Sequence, residues 1–188
     1  MRILILGPQG SGKGTQAQRI ATAYGVPHIA TGDMFRAAVA TGSELGAQVG
    51  PILERGDLVP DDLTIDLIRE RLAEEDGFVL DGFPRTVPQA EALDTMLDEI
   101  GKPLDAVILL QVSDEVATER LRERASKEGR ADDSPEAIAN RLRQYHELTE
   151  LVVDRYQQAG IEVIVDGEQT MDDVFVAIQD ALEGVTAG

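Results

Sequence analysis

A parallel α/β sheet of five strands with helices on both faces is the architecture this 188-residue sequence predicts. Three observations carry the prediction. Short apolar runs alternate with helix-length segments of 3.6-residue periodicity, as strands joined by crossover helices do. The runs are mostly apolar throughout rather than alternating, as expected of strands covered on both faces. The first run, Ile3–Leu6, leads straight into a glycine-rich stretch and then a helical pattern. Crossovers between such strands are right-handed.

The strands fall at Ile3–Leu6, Pro27–Ala30, Phe78–Leu80, Ala106–Val112 and Glu162–Val165. After Gly12, the residues Ala17, Ile20, Ala21 and Tyr24 share a helix face, and Gly25 closes that helix. Residues 31–60 contain helical pieces and turns but no strand. Asp61 stands as the cap of a helix carrying Ile65, Ile68 and Leu72. Leu93, Met96, Leu97 and Ile100 form the next stripe, before Gly101. The polar stretch ASKEGRADD, residues 125–133, reads as a loop between two helices. Ser134-Pro135 reads as an N-cap followed by proline at the first helical position. One helix with Ile138, Leu142, Tyr145, Thr149, Val152 and Tyr156 on a single face then runs to Gly160. Thr170 caps a last helix through Val174, Ile178 and Leu182.

Length and composition suit a single globular domain, 43% hydrophobic and 28% charged. Without cysteine there is no disulfide framework and no thiolate zinc site. No apolar run approaches the ~20 residues that span a membrane, and no leader pattern precedes the first strand. A cytoplasmic location is the expectation. The net charge of −18 argues against nucleic-acid binding through a basic face. It reads as a solvated acidic surface. An anionic ligand must then be drawn in by local cations, and Lys13 is one of only three lysines.

The stretch GPQGSGKGTQ, Gly7 to Gln16, supplies such a place. A strand, a glycine loop and a helix N-terminus gather backbone N–H groups around one point and favour a phosphate. Gly7, Gly10, Gly12 and Gly14 remove the Cβ atoms that would hold the backbone away from it, Ser11 lies among them, and Lys13 adds a point charge. Three glycines and a lysine at fixed places arise by chance at roughly 2 in 100,000 per position. The general P-loop pattern has a hydroxyl directly after its lysine; here Gly14 stands there and Thr15 follows. Thr15 is open to two roles, near a Mg²⁺ ion or on a phosphate oxygen. A second stretch, GFVLDGFPRTVPQ, runs from a buried strand into a loop bearing Asp81, Arg85 and Gln89. Alone it reads equally as an Asp-Gly turn with a surface arginine.

Together GPQGSGKGTQ, TGDMFR, DGFPRTVPQ and GRADD, in that order along nearly the whole chain, resemble the adenylate kinases among nucleoside monophosphate kinases. The resemblance implies a P-loop core of residues 1–30, 61–124 and 134–188, an inserted nucleoside-monophosphate-binding segment at 31–60, and a short lid at 125–133. It implies ATP bound by Gly10 to Thr15, with Arg120 stacked on its adenine and Gln169 beside it. It implies AMP held by Thr31, Arg36, Asp57, Leu58, Val59, Gly82, Arg85 and Gln89. Lys13, Arg85, Arg124, Arg130 and Arg141 correspond to the catalytic cations. Asp81 corresponds to a carboxylate that reaches Mg²⁺ through water. Asp132 and Asp133 match an acidic pair after the lid arginine. Many relatives carry a long lid with a cysteine-held zinc; the short form here leaves zinc out.

The implied reaction is reversible transfer from ATP to AMP, giving two ADP. Its acceptor oxygen is already ionised, so no general base is needed, and His28 and His146 read as structural. Two unit charges ~5 Å apart repel by about 3 kcal/mol at an effective dielectric of ~20, which cations must offset. Each arginine alone reads equally as a surface charge; ERLRER around Arg124 resembles a solvated helix face. Thr31 and Gln89 favour adenine over the pyrimidines of UMP/CMP kinases. A nucleotide-operated switch is the reading from another class, and no NKxD-like guanine signature supports a GTPase. The expected partners are nucleotides alone, and the expected state is a monomer.

Overall fold

The computed structural model describes residues 1–128 and 133–186. In chain order the elements are β1 (Arg2–Leu6), α1 (Lys13–Tyr24), β2 (His28–Ala30), α2 (Thr31–Ala40), α3 (Glu44–Glu54), α4 (Asp61–Leu72) and β3 (Phe78–Asp81). Then follow α5 (Val87–Glu99), β4 (Ala106–Gln111), α6 (Asp114–Glu128), α7 (Pro135–Gln144), α8 (Glu150–Ala159), β5 (Glu162–Asp166) and α9 (Met171–Thr186). The strands form one parallel sheet in the order β2-β3-β1-β4-β5. β1 is central, with Ile5 opposite Asp81 of β3 on one side and Leu6 opposite Leu109 of β4 on the other. The chain returns to one side of β1 and then crosses to the other. Such a switch point opens a crevice at the carboxyl ends of the strands.

The alternation of strand side chains divides the core into two layers. Leu4, Leu6, Leu80, Val107 and Leu109 pack under α4, α5 and α8 through Ile68, Leu93, Leu97 and Val152. Ile3, Ile5, Val79, Ile108 and Leu110 pack under α1 and α9 through Ile20, Val174 and Ile178. Both faces are therefore covered, which is why the strands read as unbroken apolar runs. Residues 31–60 carry their own small cluster of Phe35, Val49 and Val59. α6 and α7 meet through Ala117, Leu121, Ile138 and Leu142.

Three local expectations are corrected. α6 continues through Glu128, so residues 125–128 of the expected loop are helix. That stretch holds no glycine or proline before Gly129, and Lys127 donates to Glu123 one turn back at 3.0 Å. The single helix expected from 134 to 160 is interrupted by a π-helical turn at Tyr145–Thr149. Finally, α4 begins at Asp61 itself, after Pro60, and the Asp61 carboxylate caps nothing of its own helix but reaches toward α5. The Ser134 and Thr170 caps form as expected. Among the described residues no helix is long and apolar enough to cross a membrane.

Candidate functional site

The loop from Gly7 to Gly12 leaves β1 at the switch point. Gly10 and Gly12 hold φ of 88° and 91°, a conformation that side chains with a Cβ resist. At Gly10 a Cβ would also lie 2.4 Å from the Ala117 carbonyl oxygen, so the loop touches the first turn of α6. α1 begins at Lys13 with no side-chain cap and no acid in its first turn. By contrast, Ser43 and Ser134 cap α3 and α7 with their hydroxyls. The leading N–H groups of α1 are thus left for an anion.

This helix end opens on a cavity of about 870 Å³. Lys13, Arg36, Arg85, Arg120, Arg124 and Arg141 all line it, together with Asp81. Burial pushes the Lys13 ammonium down to about 8; Asp81 opposes that shift, and the charges of Arg85, Arg124 and Arg141 add to it. Burial likewise pushes Arg85 down to about 10, with Arg141 and Arg36 adding to the shift against Asp81. The cations repel one another across the cavity, and an anion between them would relieve that repulsion. Buried polar atoms rarely lack partners. Yet Gln9 Oε1, Ser11 Oγ, Gln16 Oε1 and His28 Nε2, all on residues lining this cavity, have none among the described residues.

Several of these side chains are held in place. Asp133, its side chain fully buried, accepts from Arg124 Nε at 2.8 Å and Nη2 at 2.7 Å. It also accepts from Arg141 Nη1 at 2.7 Å. Burial pushes its carboxyl up, but the hydrogen bonds and charges of the two arginines outweigh that and leave it below the ordinary range. Arg85 donates through Nε to the Gly82 carbonyl at 2.8 Å, and its own carbonyl accepts from Thr149 Oγ1 at 3.0 Å. That last bond comes from the π-helical turn. Arg120 bridges Gly167 O at 2.9 Å and Ser11 O at 3.4 Å, and the exposed Gln169 lies on the same rim. Arg36 pairs with Asp33.

A second, smaller cleft adjoins the first. Thr31, Asp57, Leu58, Val59, Gly82, Arg85 and Gln89 line it, and Asp57, Gly82 and Arg85 also face the large cavity. Thr31 donates to Gly82 O at 2.8 Å. Asp57 accepts from Arg55 Nε at 2.8 Å and Asn140 Nδ2 at 2.7 Å, which lowers its carboxyl's pKa and fastens residues 55–57 to α7.

The residues present suit a magnesium–nucleotide complex. Asp81, at the end of β3, lines the large cavity together with the carboxylates of Asp33, Asp57 and Glu123. Burial pushes its pKa up, but His28, Lys13 and Arg85 pull it down further, so the net shift favours the anion. A Cβ at position 14 would come within 3.3 Å of Asp81 Oδ2, so the missing side chain leaves room there. Among the described residues no group of three His, Cys, Asp or Glu side chains gathers as a metal cage. The Asp81 carboxylate is an oxygen donor that a hard cation could meet alongside phosphate oxygens and waters.

With the exception of Gly7, the described residues that the sequence pointed to for ATP, AMP, Mg²⁺ or the transferred phosphoryl group line one of the two cavities, whereas Asp133 lines neither. Arg130 and Asp132 lie outside the described residues. Two residues that the sequence named without assigning a place in the site touch its side chains. Asp133 is the shared anchor of Arg124 and Arg141, and its only signal was the acidic pair of unassigned role. His28 Nε2 stands 3.7 Å from Asp81 Oδ2, an ion-pair distance too long for a hydrogen bond. Its only signal was its place after Pro27 at the start of a strand.

A family model described as adenylate kinase matches residues 5–161. An adenylate kinase of Stenotrophomonas maltophilia (strain R551-3) is 48% identical over 187 residues, covering 98% of this chain and all of the relative. Adenylate kinases of Xanthomonas euvesicatoria pv. vesicatoria and Xanthomonas axonopodis pv. citri are 48% identical over 185 residues, covering 97% of this chain and 99% of theirs. A likeness that spans both chains end to end, on a fold with these two adjoining clefts, leads to one conclusion: the chain belongs to the adenylate kinase family.

Proposed function

We propose that this protein catalyses ATP + AMP ⇌ 2 ADP with Mg²⁺, with ATP phosphates on the Gly10–Thr15 loop and AMP in the smaller cleft. Residues 31–60 act as the AMP-binding segment, 125–133 as a short lid, and the remainder as the core. One observation carries this reading: in a chain of net charge −18, a lysine and several arginines converge on one cavity beside an uncapped helix end.

The chain's own groups do most of the work. Backbone N–H groups of the loop and Lys13 hold the ATP phosphates. Arg85, which faces both cavities, and Arg36 hold the AMP phosphate in line with them. A phosphate oxygen of AMP attacks the γ-phosphorus, that P–O bond forms, and the bond to the β,γ-bridging oxygen breaks as ADP leaves. Arg124 and Arg141, oriented by Asp133, follow charge on the equatorial oxygens. Arg130 is assigned the same task. Arg120 and Gln169 lie where the ATP base would rest. Mg²⁺ near Asp81 and Thr15, bound largely through phosphates and water, would supply further neutralisation. No general base is required.

The test is a steady-state assay with ATP and each of AMP, UMP, CMP and GMP. The expected outcome is strong preference for AMP. Preference for UMP would overturn the acceptor assignment, and ATP hydrolysis without transfer would overturn the reaction. We further infer a monomer working in the cytosol, and sedimentation at the mass of a single chain is the expected result.

A further inference from the structure

We infer that Asp61 sets the base selectivity of the smaller cleft by fixing which way the Gln89 amide points, so that a 6-aminopurine is accepted and a 6-oxopurine refused. The inference rests on the reading of that cleft as the AMP site.

Gln89 lies in the first turn of α5 and is 2% exposed. Its Nε2 donates to Asp61 Oδ1 at 2.8 Å, and its Oε1 accepts from the Arg85 backbone N–H at 2.8 Å. A carboxylate only accepts here and a backbone N–H only donates. The two partners therefore leave the amide a single orientation, although its oxygen and nitrogen ends have nearly the same shape. Thr86 strengthens the arrangement. Its hydroxyl donates to the same Asp61 oxygen at 3.0 Å and caps α5 by accepting from Gln89 N at 3.4 Å.

The amide is left with one N–H and one lone pair that have no partner among the described residues. A donor beside an acceptor is the complement of adenine's Watson–Crick edge, which offers a ring-nitrogen acceptor next to an amino donor. A 6-oxopurine offers the reverse. To receive it Gln89 would have to turn over, bringing its NH₂ against the Arg85 N–H and its oxygen against the Asp61 carboxylate. Both buried hydrogen bonds would be lost, and unpaired polar groups in such a place are strongly unfavourable. Asp61 is thus a positioning residue that acts through Gln89.

The experiment compares kcat/KM for AMP and for IMP, with ATP as donor, in the wild type, Asp61→Asn and Asp61→Ala. The asparagine presents one carbonyl oxygen in place of the carboxylate oxygen that Thr86 and Gln89 share, so it keeps both donors and the wild-type orientation. Asp61→Ala removes that acceptor and leaves the Arg85 N–H alone to oppose reversal. In Asp61→Ala the AMP-to-IMP ratio is expected to fall at least about tenfold, and in Asp61→Asn to stay near the wild-type value. The ratio within one preparation cancels any loss of folded protein. Parallel losses on both substrates at an unchanged ratio in Asp61→Ala would make Asp61 merely structural and overturn the inference. A wild type that fails to prefer AMP over IMP would instead remove the reading of the cleft, and this inference with it.

Discussion

Lys13 is half-buried among other cations, and this has a measurable effect. Its folded pKa near 8 lies below the 10.5 of an unperturbed lysine. Between those values the unfolded chain holds a proton that the folded chain has released, so this residue's contribution to stability rises with pH across that window. Below pH 8 the buried charge is present at its full cost. A polyphosphate beside Lys13 restores the proton. Nucleotide binding at about pH 8.5 should therefore take up protons, and at about pH 6.5 this uptake should vanish. Calorimetry in two buffers of different ionisation enthalpy measures it, and Lys13→Met should remove it. Turnover should fall by orders of magnitude in Lys13→Ala while the fold survives. At Asp133 the expectation differs, because its loss unpins two arginines at once. Asp133→Asn should destabilise by on the order of 3 kcal/mol in urea titration and lower kcat as well as thermal stability.

Among the elements, the contact of residues 55–57 with α7 is the most open to test. Asn140 donates to Asp57 and also to the Arg55 carbonyl at 3.0 Å. Gly56 lies so close that an added Cβ would be 2.6 Å from the Ala137 carbonyl oxygen, at a φ of +72°. Asn140→Ala should lower stability by about 1 kcal/mol. Gly56→Ala should displace the segment from α7 and raise KM for AMP several-fold more than KM for ATP, as steady-state kinetics would read. None of this contact was visible in the sequence, which contains no sign of which helix residues 31–60 would meet. The strands were legible because both faces are buried, and α1 because Ala17, Ile20 and Ala21 recur at helical spacing under the sheet. The π-helical turn was not legible. One extra residue in a turn at Tyr145–Thr149 shifts the stripe too little to register as a break. The loop and the DGFPR stretch announced most of the site by their residue types. The pairing of Arg124 and Arg141 through Asp133 depends on where the chain between them returns, which spacing does not encode.

Taken whole, the molecule gathers Lys13 and five arginines around one crevice at the carboxyl ends of the strands, while its net charge is −18. Self-repulsion of that size destabilises a compact state and is screened by salt. The melting temperature should rise by a few degrees between 0.05 and about 0.5 M NaCl, which calorimetry can follow; about 1 kcal/mol corresponds to roughly 2–4 °C at this chain length. The contact between Gly10 and Ala117 bears on how mutational data for this protein should be interpreted. A library sorted only for cellular abundance, blind to turnover, would already discard larger residues at Gly10, because a carbonyl of α6 stands in the way. Intolerance there does not diagnose ligand contact. Gly14 is the informative neighbour, since an added methyl would meet only the Asp81 carboxylate. Variants at that position should stay abundant in such a screen and drop out once growth depends on catalysis.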